Sequence, residues 1–172
     1  CGCGNAFQPV RRIAGRADDL LLIEGPDGQV RTVTPDVVRN AIVDADPRRR
    51  IIVPSAPGKR DAKDAKITDL LYLCHHAASI KADFSAPFRQ IVERYEEIER
   101  ELGLTIGIGA EVETLREQFE RGVSADYAAS RGEHFCARLL AAWLDAEFVE
   151  PAECIVIGPQ GIVEPESYAQ LG

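Results

Sequence analysis

No methionine occurs anywhere in the 172 residues, so no initiator is visible. The last residues, Pro165 to Gly172, read as the opening of a helix, and the two features together give the expectation of an incomplete chain. Long hydrophobic runs are also missing. None approaches the ~20 apolar residues that a membrane helix needs, and no amino-terminal segment joins a basic start to an apolar core as a secretory signal does. Positive charge is in deficit. The formal net charge of −8 argues against nucleic acid or an anionic membrane as the main partner. An even cysteine framework is absent too: the five cysteines fit a reducing cytoplasm better than secretion. Cys74, Cys136 and Cys154 lie in apolar contexts and are expected to be buried as small hydrophobes. Cys1-Gly2-Cys3 is a single short pair without a second, too little for a metal site. There is no internal repeat and no low-complexity segment.

What is present is ordinary for a soluble globular protein: 45% apolar and 28% charged residues. The length suffices for one domain with a substantial core. Residues 1–18 lack periodicity and are expected to be irregular. The run from Asp19 to Glu24 predicts a short strand, and Gly25-Pro26-Asp27-Gly28 a turn. Gln29 to Val33 then returns as a second strand, completing a small hairpin. Thr34-Pro35-Asp36 opens a helix to about Asp44 with a cap, a Pro at N1 and an acid in the first turn. Asp46-Pro47 ends it.

The central stretch is Ile51-Ile52-Val53-Pro54-Ser55, an apolar run without alternation, as in a parallel strand covered on both faces. It enters a turn of small residues, Pro and Gly, followed by Lys59, Arg60, Lys63 and Lys66. Backbone amides at such a turn, and at the helix start after it, are available to anions. Helical spacing then predicts helices over about Thr68–Ile80, Ala86–Leu102, Glu111–Glu120 and Ala125–Leu144. Their inner faces carry Leu70, Leu71 and Cys74; Phe88, Ile91, Val92 and Tyr95; and Ala128, Gly132, Phe135, Cys136 and Leu139. Gly103 and Gly122 read as carboxyl-terminal caps and Ser124 as an amino-terminal cap. Gly107-Ile108-Gly109 lacks the third Gly of a dinucleotide fingerprint and reads as a loop. Ala146–Val149 and Cys154–Ile157 are expected as a strand and as a strand or hairpin beside it. Strand, helix, strand, several helices, strand is an α/β pattern of a sheet covered by helices.

Three residues stand out for chemistry, each with a plainer alternative. Glu133 lies at the border of a buried face, beside Ala128, Ala129, Ser130 and Gly132, which would let another backbone or a ligand come close. Its plainer role is a surface carboxylate paired with Arg131 or Arg138. Ser55 ends the strand and is otherwise a turn former. Thr68 opens a helix and is otherwise an N-cap. His134 is a candidate acid–base partner for Glu133. His75 and His76 are neighbours on a helix and point about 100° apart, so one ion cannot easily take both.

Ile52-Val-Pro-Ser-Ala-Pro-Gly-Lys-Arg60, with Lys66-Ile-Thr-Asp-Leu-Leu71 after it, resembles the first motif block of aspartate kinases. Ala125-Asp-Tyr-Ala-Ala-Ser-Arg-Gly-Glu-His134 resembles that family's second block, and Ala146-Glu-Phe-Val-Glu-Pro-Ala-Glu153 the segment that follows. The resemblance runs from about Asp46 to Glu164. It implies a three-layer α/β/α sandwich of the amino-acid-kinase fold, of which residues 19–172 would form a partial domain, the amino-terminal, aspartate-binding half. It also implies phosphoryl transfer from MgATP to the β-carboxylate of L-aspartate, the first step towards lysine, threonine and methionine. By position, Ser55 and Thr68 match the hydroxyls that hold aspartate, and Glu133 matches the carboxylate that binds its α-ammonium group. The implied partners are L-aspartate, ATP and Mg2+, in the cytoplasm, with a homo-oligomer left open and neither nucleic acid nor membrane involved.

Two departures accompany the resemblance. The family opens with a strand ending Lys-Phe-Gly-Gly, whose Lys contacts the transferring phosphate. Here that position falls near Glu24-Gly25-Pro26, which reverses the charge, so no catalytic residue is identified. The family's nucleotide-binding half would lie downstream of Gly172. The expectation is a fragment inactive by itself, and the alternative is a non-catalytic module that binds a metabolite or a partner subunit.

Overall fold

The computed structural model describes the strand residues 21–24 and 30–33, and residues 51–61 and 63–171. The expected first hairpin is present. Strand β1 (Leu21–Glu24) pairs antiparallel with β2 (Val30–Val33), Leu21 opposite Val33 and Glu24 opposite Val30. The segment 1–18, the helix expected over 34–44, and Cys1 and Cys3 lie outside the described residues.

Four helices make the core: α1 (Ile67–Ser79), α2 (Ser85–Glu101), α3 (Ile108–Arg121) and α4 (Ala125–Leu144). Each buries residues recurring three and four apart, one stripe of a 3.6-residue period. Helix α1 gives Ile67, Leu70, Leu71 and Cys74; α2 gives Phe88, Ile91, Val92 and Tyr95; α3 gives Ile108, Val112, Leu115 and Phe119; α4 gives Ala128, Phe135 and Leu139. Phe84, Phe88 and Phe119 meet edge to face, with ring centroids 6.0–6.3 Å apart, the arrangement the ring quadrupole favours. The Arg116 guanidinium covers this cluster, 4.5 Å from the Phe88 centroid. Two short helices follow, α5 (Pro151–Cys154) and α6 (Pro165–Leu171).

The helix ends follow local chemistry. The Ser124 hydroxyl accepts from Tyr127 N at 3.1 Å, the cap read from the sequence. Gly103 and Gly122 close α2 and α3 at φ +67° and +84°, where a Cβ would be strained. Helix α3 differs from expectation. Gly107-Ile108-Gly109 is its opening, not a loop, because Glu99 reaches over from α2. The Glu99 carboxylate accepts from Gly107 N at 2.6 Å and from Ile108 N at 3.1 Å, so it serves as a cap from another helix. Gly109 is buried there, and a Cβ on it would strike the Glu96 side chain.

Other expectations are corrected. Ile51–Ser55 forms no regular element and pairs with no strand among the described residues, and Ile51 and Val53 are 68% and 74% exposed. An apolar run can signal a strand but cannot supply its neighbours, and a strand exists only as a pairing. Ala146–Val149 is likewise irregular. Cys154 ends α5 half-buried, whereas Cys74 and Cys136 are buried as expected. The last hairpin shrinks to one antiparallel bridge, Ile157 with Val163. The Ser167 hydroxyl steadies it by accepting from Val156 N at 2.8 Å. The described residues thus form a helical layer and a two-stranded hairpin; the large parallel sheet expected from the sequence is not among them.

Candidate functional site

The loop after Val53 turns inward. Pro54, Ala56 and Pro57 are buried and Ser55 is half-buried, because Ala56 packs onto α4 at Gly132. A Cβ built on Gly132 would stand 2.8 Å from Ala56 Cβ, 3.4 Å from Leu71 Cδ1 and 3.7 Å from Ile67 Cγ2. The glycine inside this helix is what admits the loop and α1 so closely. From the other side, the buried Tyr95 hydroxyl donates to the Gly132 carbonyl at 2.8 Å. One turn of α4 is therefore gripped by α2 and packed against the loop and α1.

Glu133 follows Gly132 in that turn. Its Oε1 accepts from Ala56 N at 3.4 Å, the long end of hydrogen-bond range. The surface-pair alternative is excluded by where the arginines go. Arg138 forms a two-pronged pair with Glu111 at 2.6 and 3.1 Å. Arg131 lies 4.4 Å over the Tyr127 ring and donates to the Ser130 hydroxyl. Glu133 instead places a carboxylate at the mouth of the Ser55–Pro57 loop. Its charge is felt by two buried neighbours. Burial, then the charge of Glu133, pushes the Cys136 thiol up to about 12. Burial first, then Cys136 and Glu133, holds the Tyr95 phenol well above its ordinary value.

Thr68 is not the cap of α1. The helix opens at Ile67 after Lys66, which makes no side-chain cap, so Thr68 sits at the second helical position. Thr68 and Ser55 are half-buried residues, and neither hydroxyl takes a hydrogen bond among the described residues. The fold thus packs Ala56, the neighbour of Ser55, and Ile67, the neighbour of Thr68, against Gly132, the neighbour of Glu133.

His134 is not Glu133's partner. Its Nδ1 lies 3.0 Å from Glu150 Oε2, and its ring is packed edge-on by Phe135 and Phe148. Burial, then the Arg131 charge, lowers its pKa against the opposing pull of Glu150. His75 binds the Val123 carbonyl through Nε2 at 2.8 Å, and His76 is exposed. The basic cluster is partly neutralised. Arg60 donates to Asp64 at 2.9 and 3.1 Å and to Glu97 at 2.8 Å, which holds Asp64 at about 2. Lys59, Lys63 and Lys66 stay exposed. Sequence reasoning missed Ala56 as the partner of Glu133 and counted Tyr95 only as core; Gly132 among small residues was the signal available.

No family profile matches the chain. In an alignment of 150 residues that covers 76% of this chain, it is 35% identical to Aspartokinase 3 of Bacillus subtilis (strain 168), and it covers 32% of that protein. The crystal structure of Clostridium acetobutylicum aspartate kinase matches with a TM-score of 0.73 at 42% identity, over 79% of this chain and 31% of that one. The chain therefore has part of an amino-acid-kinase fold. Within that class it belongs with the aspartate kinases and represents a partial region, about a third of the length of these relatives.

Proposed function

We propose that this chain supplies the amino-terminal, aspartate-binding part of an aspartate kinase, within that enzyme's three-layer α/β/α sandwich. The full enzyme would transfer the γ-phosphoryl group of ATP to the β-carboxylate of L-aspartate, the first step towards lysine, threonine and methionine. The observation that supports the reading is the packing of Ala56 and Ile67, the neighbours of Ser55 and Thr68, against Gly132, with the adjacent Glu133 accepting from the Ala56 amide rather than pairing with an arginine. Glu133 would bind the α-ammonium group, and the Ser55 and Thr68 hydroxyls would donate to carboxylates. Phosphoryl transfer needs mainly positioning and charge neutralisation, and this part contributes the acceptor's position. Among the described residues no three His, Cys, Asp or Glu side chains group to hold a metal ion. A cytoplasmic setting and assembly into a homo-oligomer belong to the same reading; among the described residues no helix is long and apolar enough to cross a membrane.

The test is titration calorimetry of the chain with L-aspartate. Glu133→Ala should weaken binding by about ten- to a hundredfold, the loss expected for a charge-assisted hydrogen bond. Unchanged affinity would remove Glu133 from the site. A coupled assay should detect no aspartate-dependent ADP release from the 172 residues, and measurable turnover would overturn the assignment of this part to acceptor binding only.

One observation favours a second reading, a non-catalytic aspartate-kinase-like module that binds a metabolite or a partner subunit. Glu24, at the place where the family's phosphate-contacting Lys is expected, ends β1 opposite Val30 in an antiparallel hairpin. Joining the chain to the nucleotide half of an active aspartate kinase separates the readings: aspartate-dependent turnover supports the enzyme, and binding without turnover supports the module.

A further inference from the structure

We propose that Gly132 is a positioning residue that sets the spacing between the Ser55–Pro57 loop and Glu133, with Ala56 seated in the space its missing side chain leaves. The inference rests on the aspartate-binding reading for its ligand but not for its geometry. Three observations converge on this turn. A Cβ on Gly132 would come within 2.8 Å of Ala56 Cβ, closer than carbon atoms approach, with Leu71 and Ile67 closing the same space at 3.4 and 3.7 Å. The turn cannot retreat from the loop, because the buried Tyr95 hydroxyl holds the Gly132 carbonyl at 2.8 Å. The Ala56 amide reaches Glu133 at 3.4 Å, with little range left before the bond is lost. A side chain at position 132 would therefore displace the loop, and the displacement would be felt first at the bond to Glu133 and at the neighbouring Ser55. Alanine is a better helix former than glycine, so a loss in Gly132→Ala cannot come from α4 itself.

The clash has a specific remedy. Removing the Ala56 side chain removes the nearest colliding atom, so Ala56→Gly should rescue Gly132→Ala. The experiment measures hydrogen exchange at the residue 56 amide, together with L-aspartate affinity by calorimetry. It compares the wild-type chain, Gly132→Ala and the double variant, with the Leu115 amide of α3 as a folding control. The expected result is at least tenfold faster exchange at residue 56 in Gly132→Ala, with Leu115 protection retained. Aspartate affinity should fall about tenfold, and both values should return to within about threefold of wild type in the double variant. Unchanged exchange in Gly132→Ala, or failure of the double variant to restore it, overturns the proposal whatever aspartate does. The expected exchange pattern with no aspartate binding by the wild-type chain upholds the seat and instead overturns the aspartate reading.

Discussion

The fold works against the charged form of His134. Its imidazole is enclosed by Phe135 and Phe148, and its Nδ1 faces Glu150 at 3.0 Å. Burial and the charges of Arg131 and Arg138 outweigh Glu150 and Glu111, and the pKa falls below the ordinary 6.5. A lowered folded-state pKa means that the unfolded chain binds the proton more readily. Stability from this group is then fully present above pH 6.5 and is lost as the pH falls through the lowered value. His134→Gln should remove that dependence. In urea denaturation at pH 7.5 and 5.5, the wild type should lose more stability on acidification than the variant. Parallel losses in both proteins would place the acid sensitivity elsewhere. Asp64 responds in a lower window. Arg60 holds it at about 2 rather than 3.8, so its contribution is present above 3.8 and is lost as the pH falls through about 2.

Helix α3 depends on a residue outside it. Four amide groups at a helix start have no partner within the helix, and Glu99 satisfies those of Gly107 and Ile108. Glu99→Ala should cost about 1–3 kcal/mol, since it removes a buried cap and leaves donors unpaired. Glu99→Gln keeps one acceptor oxygen and should lose less. Chemical denaturation measures both, and equal losses would count against the two-bond cap. This dependence marks where the sequence was legible. The four core helices could be read within a few residues because their signals are local: apolar residues three and four apart, Ser124 before α4, Gly103 and Gly122 after α2 and α3. The start of α3 could not, because its cap lies eight residues back on another helix and Gly107-Ile108-Gly109 offers no cap of its own. The strand expected at Ile51–Ser55 depended on partners that an apolar run does not name. At the site, Ser55, Thr68 and Glu133 were legible as candidates. The Ala56 amide was not, since a backbone donor carries no sequence signature.

At the scale of the molecule, the helices are held together where three of them meet at one ring. Phe119 of α3 packs against His75 of α1, with centroids 6.5 Å apart, and against Phe84 and Phe88 at the start of α2, 6.0 and 6.3 Å away. It is 2% exposed. Truncating such a ring costs about 3–5 kcal/mol through lost burial and the cavity left behind, a large share of the ~5–15 kcal/mol that holds a domain folded. Phe148 offers a contrast within the same chain. It is half-buried on the segment after α4, against His134 and Arg138, where solvent can fill part of the space it leaves. Because Phe119 joins three helices, Phe119→Ala should shift the whole helical circular-dichroism signal to lower urea in a single transition, while Phe148→Ala should cost less than half as much. Two separate helical transitions in Phe119→Ala would instead mean that α1, α2 and α3 do not unfold as one unit. The site about Gly132 would then rest on α1, α2 and α4 without support from the aromatic cluster.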